Sequence, residues 1–205
     1  MTTADNEATQ IPTHEESKGI VPIKFAHFVL WSSRFDETRE WYRTVLNAHP
    51  SYQNDYVAFL TYDDEHHRVA IVSAPGLKDK PKGYAGFHHV AFTYANLRDL
   101  LLTHERLMEQ GIEPYWAINH GPTSSLYYFD PDKNRVELQI DNFDTDEEGM
   151  AYCATEEFSE NPIGVDFDPS DLLRRLRAGE SETELKRRPR IGPRGMESVP
   201  SDAEI

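Results

Sequence analysis

The sequence predicts an α+β fold, with two tandem βαβββ repeats paired into a curved, open mixed sheet around a metal site. Three observations carry this. A histidine-bearing apolar strand occurs twice, as Phe25-Ala26-His27-Phe28-Val29 and as Phe87-His88-His89-Val90-Ala91. An amphipathic helical pattern follows each copy. Each unit then closes on an Arg-Val strand, Arg68-Val69-Ala70-Ile71 in the first and Arg135-Val136-Glu137-Leu138 in the second.

The elements follow in order. Residues 1–22 are polar and aperiodic, the composition of a disordered tail. Alternation places a first strand over Ile23–Trp31, with Phe25, His27, Val29 and Trp31 on one face. Ser33 with Asp36 three residues on reads as a capping signal. Trp41, Tyr42, Val45 and Leu46 then make the apolar face of a helix over Phe35–Asn47. Strands are expected over Tyr56–Tyr62 and Arg68–Ala74, followed by a Lys-, Pro- and Gly-rich linker to Gly83.

The second repeat starts at Phe87. Asn96 is a good N-cap for a helix reaching about Gln110, and Gly111 stops it. Strands are expected over Pro114–Asn119, Ser125–Phe129 and Arg135–Asp141, with Asp130-Pro131-Asp132-Lys133-Asn134 as the turn before the last. The repeat domain is thus bounded at 23–142, its copies running over about 23–75 and 85–142. Residues 143–205 form an acidic C-terminal extension. It carries a short helix near 169–178, capped by Asp168 with Pro169 at the first position, and an end whose composition reads as mobile.

Charge narrows the function classes. Of 205 residues, 21 are Lys or Arg and 36 are Asp or Glu, a formal net charge of −15. That argues against a phosphate-binding track for nucleic acid and against an anionic membrane surface. The lone Cys153 permits no intramolecular disulfide, and no apolar stretch is long enough for a membrane span. The expectation is a cytoplasmic protein.

The repeat offers four inward positions for metal ligands, held by His27, Ala70, His89 and Glu137. His89 follows His27 by 62 residues and Glu137 follows His89 by 48, one copy length and most of another. A carboxylate in the β-favouring run Arg135-Val136-Glu137-Leu138-Gln139-Ile140 needs a partner or a metal to lie inside. Two imidazoles and one carboxylate leave a metal half open, and with no thiolate this set favours Fe(II), with Mn(II) as the alternative. His88 competes with His89, and alternation selects His89 while turning His88 toward the helices. The adjacent His66 and His67 read as a solvated hairpin edge.

Ala26-His27-Phe28-Val29, Gly86-Phe87-His88-His89-Val90-Ala91-Phe92 and Leu126-Tyr127-Tyr128-Phe129-Asp130-Pro131-Asp132-Lys133-Asn134-Arg135-Val136-Glu137 together resemble the vicinal oxygen chelate superfamily. This is the superfamily of glyoxalase I, bleomycin- and fosfomycin-resistance proteins and extradiol dioxygenases. The likeness covers residues 23–142 and is strongest to a single-module type I extradiol ring-cleavage dioxygenase. It implies His27, His89 and Glu137 as ligands, with Ala70 leaving the fourth position empty. It further implies a catalytic Tyr127, ten residues before Glu137. His120 is the candidate active-site histidine, at an offset about two residues from the family's usual one. The implied reaction is opening of a catechol-type ring beside its diol, as with 2,3-dihydroxybiphenyl-like diols, using O₂. A homodimer or higher homo-oligomer is the implied assembly. Two other readings share the fold: a metal-dependent lyase, isomerase or thiol transferase of the glyoxalase or fosfomycin-resistance type, and a non-catalytic small-molecule-binding resistance protein.

Overall fold

The computed structural model describes residues 19–81 and 85–200. The first repeat contains β1 (Phe28–Trp31), α1 (Phe35–Leu46), β2 (His49–Gln53), β3 (Val57–Thr61) and β4 (Val69–Val72). The second contains β5 (His89–Thr93), α2 (Leu97–Met108), β6 (Trp116–Asn119), β7 (Thr123–Phe129) and β8 (Arg135–Asp141). Each repeat makes an open sheet of mixed direction. The strand orders are β1-β4-β3-β2, and β5-β8-β7-β6 followed by β9 (Val165–Asp166) from the extension. In both sheets the histidine strand runs parallel to the closing Arg-Val strand, and the other pairings are antiparallel. This is the α+β architecture of two βαβββ repeats.

Both helices bury one stripe. Phe35, Thr38, Tyr42, Val45 and Leu46 of α1 and Leu97, Leu100, Leu101, His104 and Leu107 of α2 recur at helical spacing. The apolar members of both stripes join Val69, Ile71, Val136, Leu138 and Ile140 in one core, with Val90 and Phe92 packed against it. Burying each large aliphatic side chain there contributes about 2 kcal/mol. With these residues turned to the helices, alternation leaves His89, Glu137 and Gln139 on the opposite face.

The two repeats are welded at the Asp130–Asn134 turn, where Lys133 takes a left-handed φ of 65°. Asp132, buried, accepts from Ser32 Oγ, Thr38 Oγ1 (2.8 Å), Ser33 N (3.0 Å) and Ser33 Oγ (2.8 Å). Asp130 accepts from Tyr42 Oη (3.2 Å) as well as from its own turn. Arg106 of α2 donates to the Thr44 and Val45 carbonyls (2.7 and 3.3 Å), filling acceptors that the end of α1 leaves open. Phe28 and Phe92 meet with ring centroids 6.0 Å apart, so the inner edge strands of the two sheets are neighbours.

Three expectations are corrected. The first strand begins at Phe28, because the Phe25 and Ala26 carbonyls are taken by the Arg68 guanidinium (2.7 and 3.0 Å) instead of a ladder. Ser33 does not cap α1. The N-cap is Arg34 without a side-chain bond, while Ser32 and Ser33 are drawn to Asp132. An unlocated strand, β2, carries Pro50 and a register break between Pro50 and Tyr52, features that hide it from alternation. The expected disordered tail falls largely in 1–18, outside the described residues.

The extension folds back on the second repeat. It carries α3 (Asp146–Cys153), α4 (Glu156–Glu160), β9, α5 (Pro169–Arg177) and α6 (Glu182–Leu185). Leu172, Leu173 and Leu185 enter the core. Asp168 caps α5, accepting from Ser170 N and Asp171 N, with Pro169 at the first position. The Glu182 carboxylate accepts from Leu97 N (3.1 Å) and Arg98 N (3.2 Å), the first amides of α2. Among the described residues no helix is long and apolar enough to cross a membrane.

Candidate active site

The second sheet builds a polar constellation on its open face. Strand pairing sets Ala91 of β5 and Tyr127 of β7 on either side of Glu137 of β8, and Trp116 of β6 beside Tyr127. His89, two residues before Ala91, reaches Glu137 Oε2 with Nε2 at 2.9 Å. The Ser125 and Tyr127 hydroxyls lie beside the Glu137 carboxylate. The Tyr127 hydroxyl lies 3.0 Å from His120 Nε2, and His120 Nδ1 lies 2.5 Å from the Ile163 carbonyl. Trp116 stacks on Tyr127 (5.1 Å, 26°) and donates from Nε1 to Asp166 Oδ1 (2.7 Å).

Glu137 is 4% exposed. Burial pushes its carboxyl upward, but hydrogen bonding within this cluster, that with His89 foremost, outweighs this and holds it below the ordinary value. Burial, and then the Glu137 charge, push Tyr127 far above the ordinary phenol value, so it stays a donor. Burial also depresses His120, which keeps its ring neutral near pH 7.

His27 is placed differently. It lies just before β1, its ring 4.1 Å from that of His67 and 6.2 Å from that of His66. Among the described residues no three His, Cys, Asp or Glu side chains gather into a formed metal-binding group. His89 and Glu137 meet; His27 keeps company with His66 and His67 of its own repeat. The chemistry of the pair still suits a hard cation, since an ionised carboxylate is buried against an imidazole and two hydroxyls.

His67 is not solvated. It is buried and stacks on Phe59 (4.5 Å, 14°), while His66 Nδ1 lies 2.5 Å from its own Nδ1. His88 does not point into the helix layer. It precedes β5, is exposed, and sets Nδ1 2.6 Å from His89 Nδ1. Trp31 is 64% exposed and Val29 beside it 56%, so β1 presents an open apolar face. Phe129 stacks on Tyr115 (4.3 Å). Sequence reasoning missed Ser125, which strand alternation from Tyr127 could have flagged, and the Ile163 carbonyl, which no side-chain pattern signals.

The fold defines a protein built from a duplicated βαβββ unit, with a buried His89–Glu137 pair on the open face of its second sheet. The chain belongs to the glyoxalase/bleomycin resistance protein/dioxygenase superfamily, whose model matches residues 24–138. Among its relatives, biphenyl-2,3-diol 1,2-dioxygenase 2 of Rhodococcus globerulus is 52% identical over 157 residues, covering 76% of this chain and 83% of that protein. Biphenyl-2,3-diol 1,2-dioxygenase 3 of the same organism is 45% identical over 170 residues, covering 82% of this chain and 90% of that protein. The crystal structure of a glyoxylase/bleomycin resistance protein/dioxygenase domain from Frankia sp. EAN1pec is 17% identical. It superposes with a TM-score of 0.50 over 59% of this chain and 93% of that one, a likeness of fold.

Proposed function

We propose that this chain is an Fe(II)-dependent extradiol dioxygenase that opens a catechol-type ring, with 2,3-dihydroxybiphenyl-like diols as substrates. The observation that carries the reading is the 52% identity to a biphenyl-2,3-diol 1,2-dioxygenase over most of both chains. Support comes from the asymmetry of the repeats, which leaves Ala70 where a fourth ligand would stand and so keeps positions open for a chelating diol and O₂. Mn(II) is the alternative metal.

His89 and Glu137 would hold the metal, with His27 as the third ligand from the other repeat. When bound, the metal supplies the means to chelate both diol oxygens and to bring O₂ into reaction with the ring. The chain's own residues position and protonate. Tyr127, kept protonated, would turn its hydroxyl from His120 Nε2 to a diol oxygen once the substrate binds. His120, neutral with its proton on Nδ1, offers a lone pair at Nε2 and so would take a proton from the diol side and return it. Trp116 stacked on Tyr127 and the exposed Trp31 and Val29 supply apolar surface for an aromatic ring. Assembly as a homodimer or higher oligomer is part of the proposal.

The deciding experiment is anaerobic reconstitution with Fe(II), then oxygen uptake on a panel of catechols including 2,3-dihydroxybiphenyl. About one O₂ consumed per diol with a ring-opened product supports the reading. Stoichiometric metal binding with no uptake on any diol overturns it.

A further inference from the structure

His120 is held at both ring nitrogens. A carbonyl can only accept, so the 2.5 Å contact with Ile163 puts the proton on Nδ1, and Nε2 must then accept from Tyr127 Oη. The tautomer is set by a backbone group 43 residues away in the extension.

That carbonyl is itself built into a braced turn. Asn161 Oδ1 accepts from Ile163 N (3.2 Å) and Gly164 N (2.7 Å), and its Nδ2 donates to Gly164 O (3.1 Å). Gly164 has φ +121°, and a Cβ there would sit 2.3 Å from the Asn119 carbonyl. The turn therefore lies directly on the chain that leads into His120.

One side chain ties turn and loop together. The Arg188 side chain is 4% exposed. Its guanidinium donates to the carbonyls of His120 (3.1 Å), Asn161 (2.9 Å) and Glu157 (3.3 Å), and lies 5.5 Å from the centre of the Tyr152 ring. Burying a guanidinium is costly. Here Nη1 and Nη2 are met by the His120 carbonyl on one segment and the Glu157 and Asn161 carbonyls at the end of α4 on another, while Nε has no hydrogen-bond partner among the described residues. Arg194 supports the far side of the turn, donating to Gly164 O (3.1 Å).

We propose that Arg188 is a positioning residue for the active site: it locks the 161–164 turn to the His120 loop, so that the Ile163 carbonyl holds His120 in the tautomer whose Nε2 faces Tyr127. Its consequence for turnover rests on the dioxygenase reading; its consequence for the ring does not.

The test uses the full-length, ¹⁵N-labelled, metal-free protein, with long-range ¹⁵N–¹H correlation of the His120 ring. The native protein is expected to show a protonated Nδ1 and an unprotonated Nε2. Arg188→Met removes the donors while keeping most of the bulk. It is expected to mix the two tautomers and, in the Fe(II)-loaded enzyme, to lower kcat about tenfold with KM within about twofold. Arg194→Ala should produce a smaller tautomer shift. Arg190→Ala, which cuts only a surface pair with Glu160, should produce none. The proposal is overturned by a native tautomer signature in folded Arg188→Met, or in Arg194→Ala if the first variant does not fold. An equal shift in Arg190→Ala also overturns it. A tautomer response in a protein that consumes no O₂ on any diol would sink the dioxygenase reading and leave the role of Arg188 toward His120 standing.

Discussion

Glu137 and Ala70 hold the same place in the two repeats. Glu137 stands between Ala91 and Tyr127 in the strand register, and Ala70 stands between Val29 and Phe59. His89 precedes Ala91 by two residues, as His27 precedes Val29. The correspondence extends outward, since Trp116 pairs with Tyr127 as Tyr52 pairs with Phe59. The first repeat thus keeps the frame of the site with apolar residues at the positions where the second has a carboxylate and a phenol.

Glu137→Gln keeps the shape of the side chain and removes its charge. Anaerobic Fe(II) titration by calorimetry is expected to show affinity weakened by more than about 100-fold, beyond what loss of an outer partner produces. Iron affinity within tenfold of native would remove Glu137 from the ligand set.

Burial holds His120 below the ordinary imidazole value. Its neutral form therefore persists to lower pH, and the acid limb of kcat/KM should lie below about pH 6.5. His120→Ala should erase that limb and lower kcat by about 100-fold or more. An oxygen-uptake profile with its acid limb at or above the ordinary value would contradict this assignment.

Tyr127→Phe retains the stack on Trp116 while deleting the hydroxyl between His120 and Glu137. Stability in urea should change by only about 1 kcal/mol, whereas kcat falls by about 10- to 100-fold. An unchanged kcat would assign the hydroxyl to structure alone.

Asp132 links the repeats, and its sign of pH dependence is defined. Burial raises its carboxyl, but bonds from Ser32, Ser33 and Thr38 together hold it below the ordinary value. A depressed folded value stabilises the protein above the unfolded pKa of about 3.9, and this is lost as pH falls through the lower folded one. Asp132→Asn should cost about 2 kcal/mol at pH 7 and flatten the loss of stability below about pH 4. Thermal melts at pH 7 and pH 3 would show the difference; parallel losses in both proteins would refute it.

Glu182 reaches from the extension to the start of α2. Glu182→Ala should cost about 1 kcal/mol in a urea melt, the value of a helix cap. No change would mean that water serves those amides equally well.

Much of this was legible in the residues. Both βαβββ units follow from two-residue and helical alternation, and Arg135–Asp141 reads as a strand because Val136, Leu138 and Ile140 bury one face while Glu137 and Gln139 take the other. Tyr127 and Glu137 could be paired because adjacent antiparallel strands joined by a short turn have little freedom of register. β2 escaped because Pro50 and a bulge break its pattern. Ser33 misled because a cap and an inter-repeat anchor use the same hydroxyl. Arg188 sits in the charged run Lys186-Arg187-Arg188, where composition suggests solvent, and its burial depends on three carbonyls that carry no side-chain signature.

The outer edges of the two sheets are closed to another chain in different ways. β9, two residues long and carrying Asp166, lies along β6, while β2 breaks its own ladder at Pro50 and the adjacent bulge. Neither offers a long, flat row of free amides and carbonyls for a further strand to zip onto. A further strand is therefore disfavoured at either outer edge, and the runaway stacking to which open sheets are prone is blocked there.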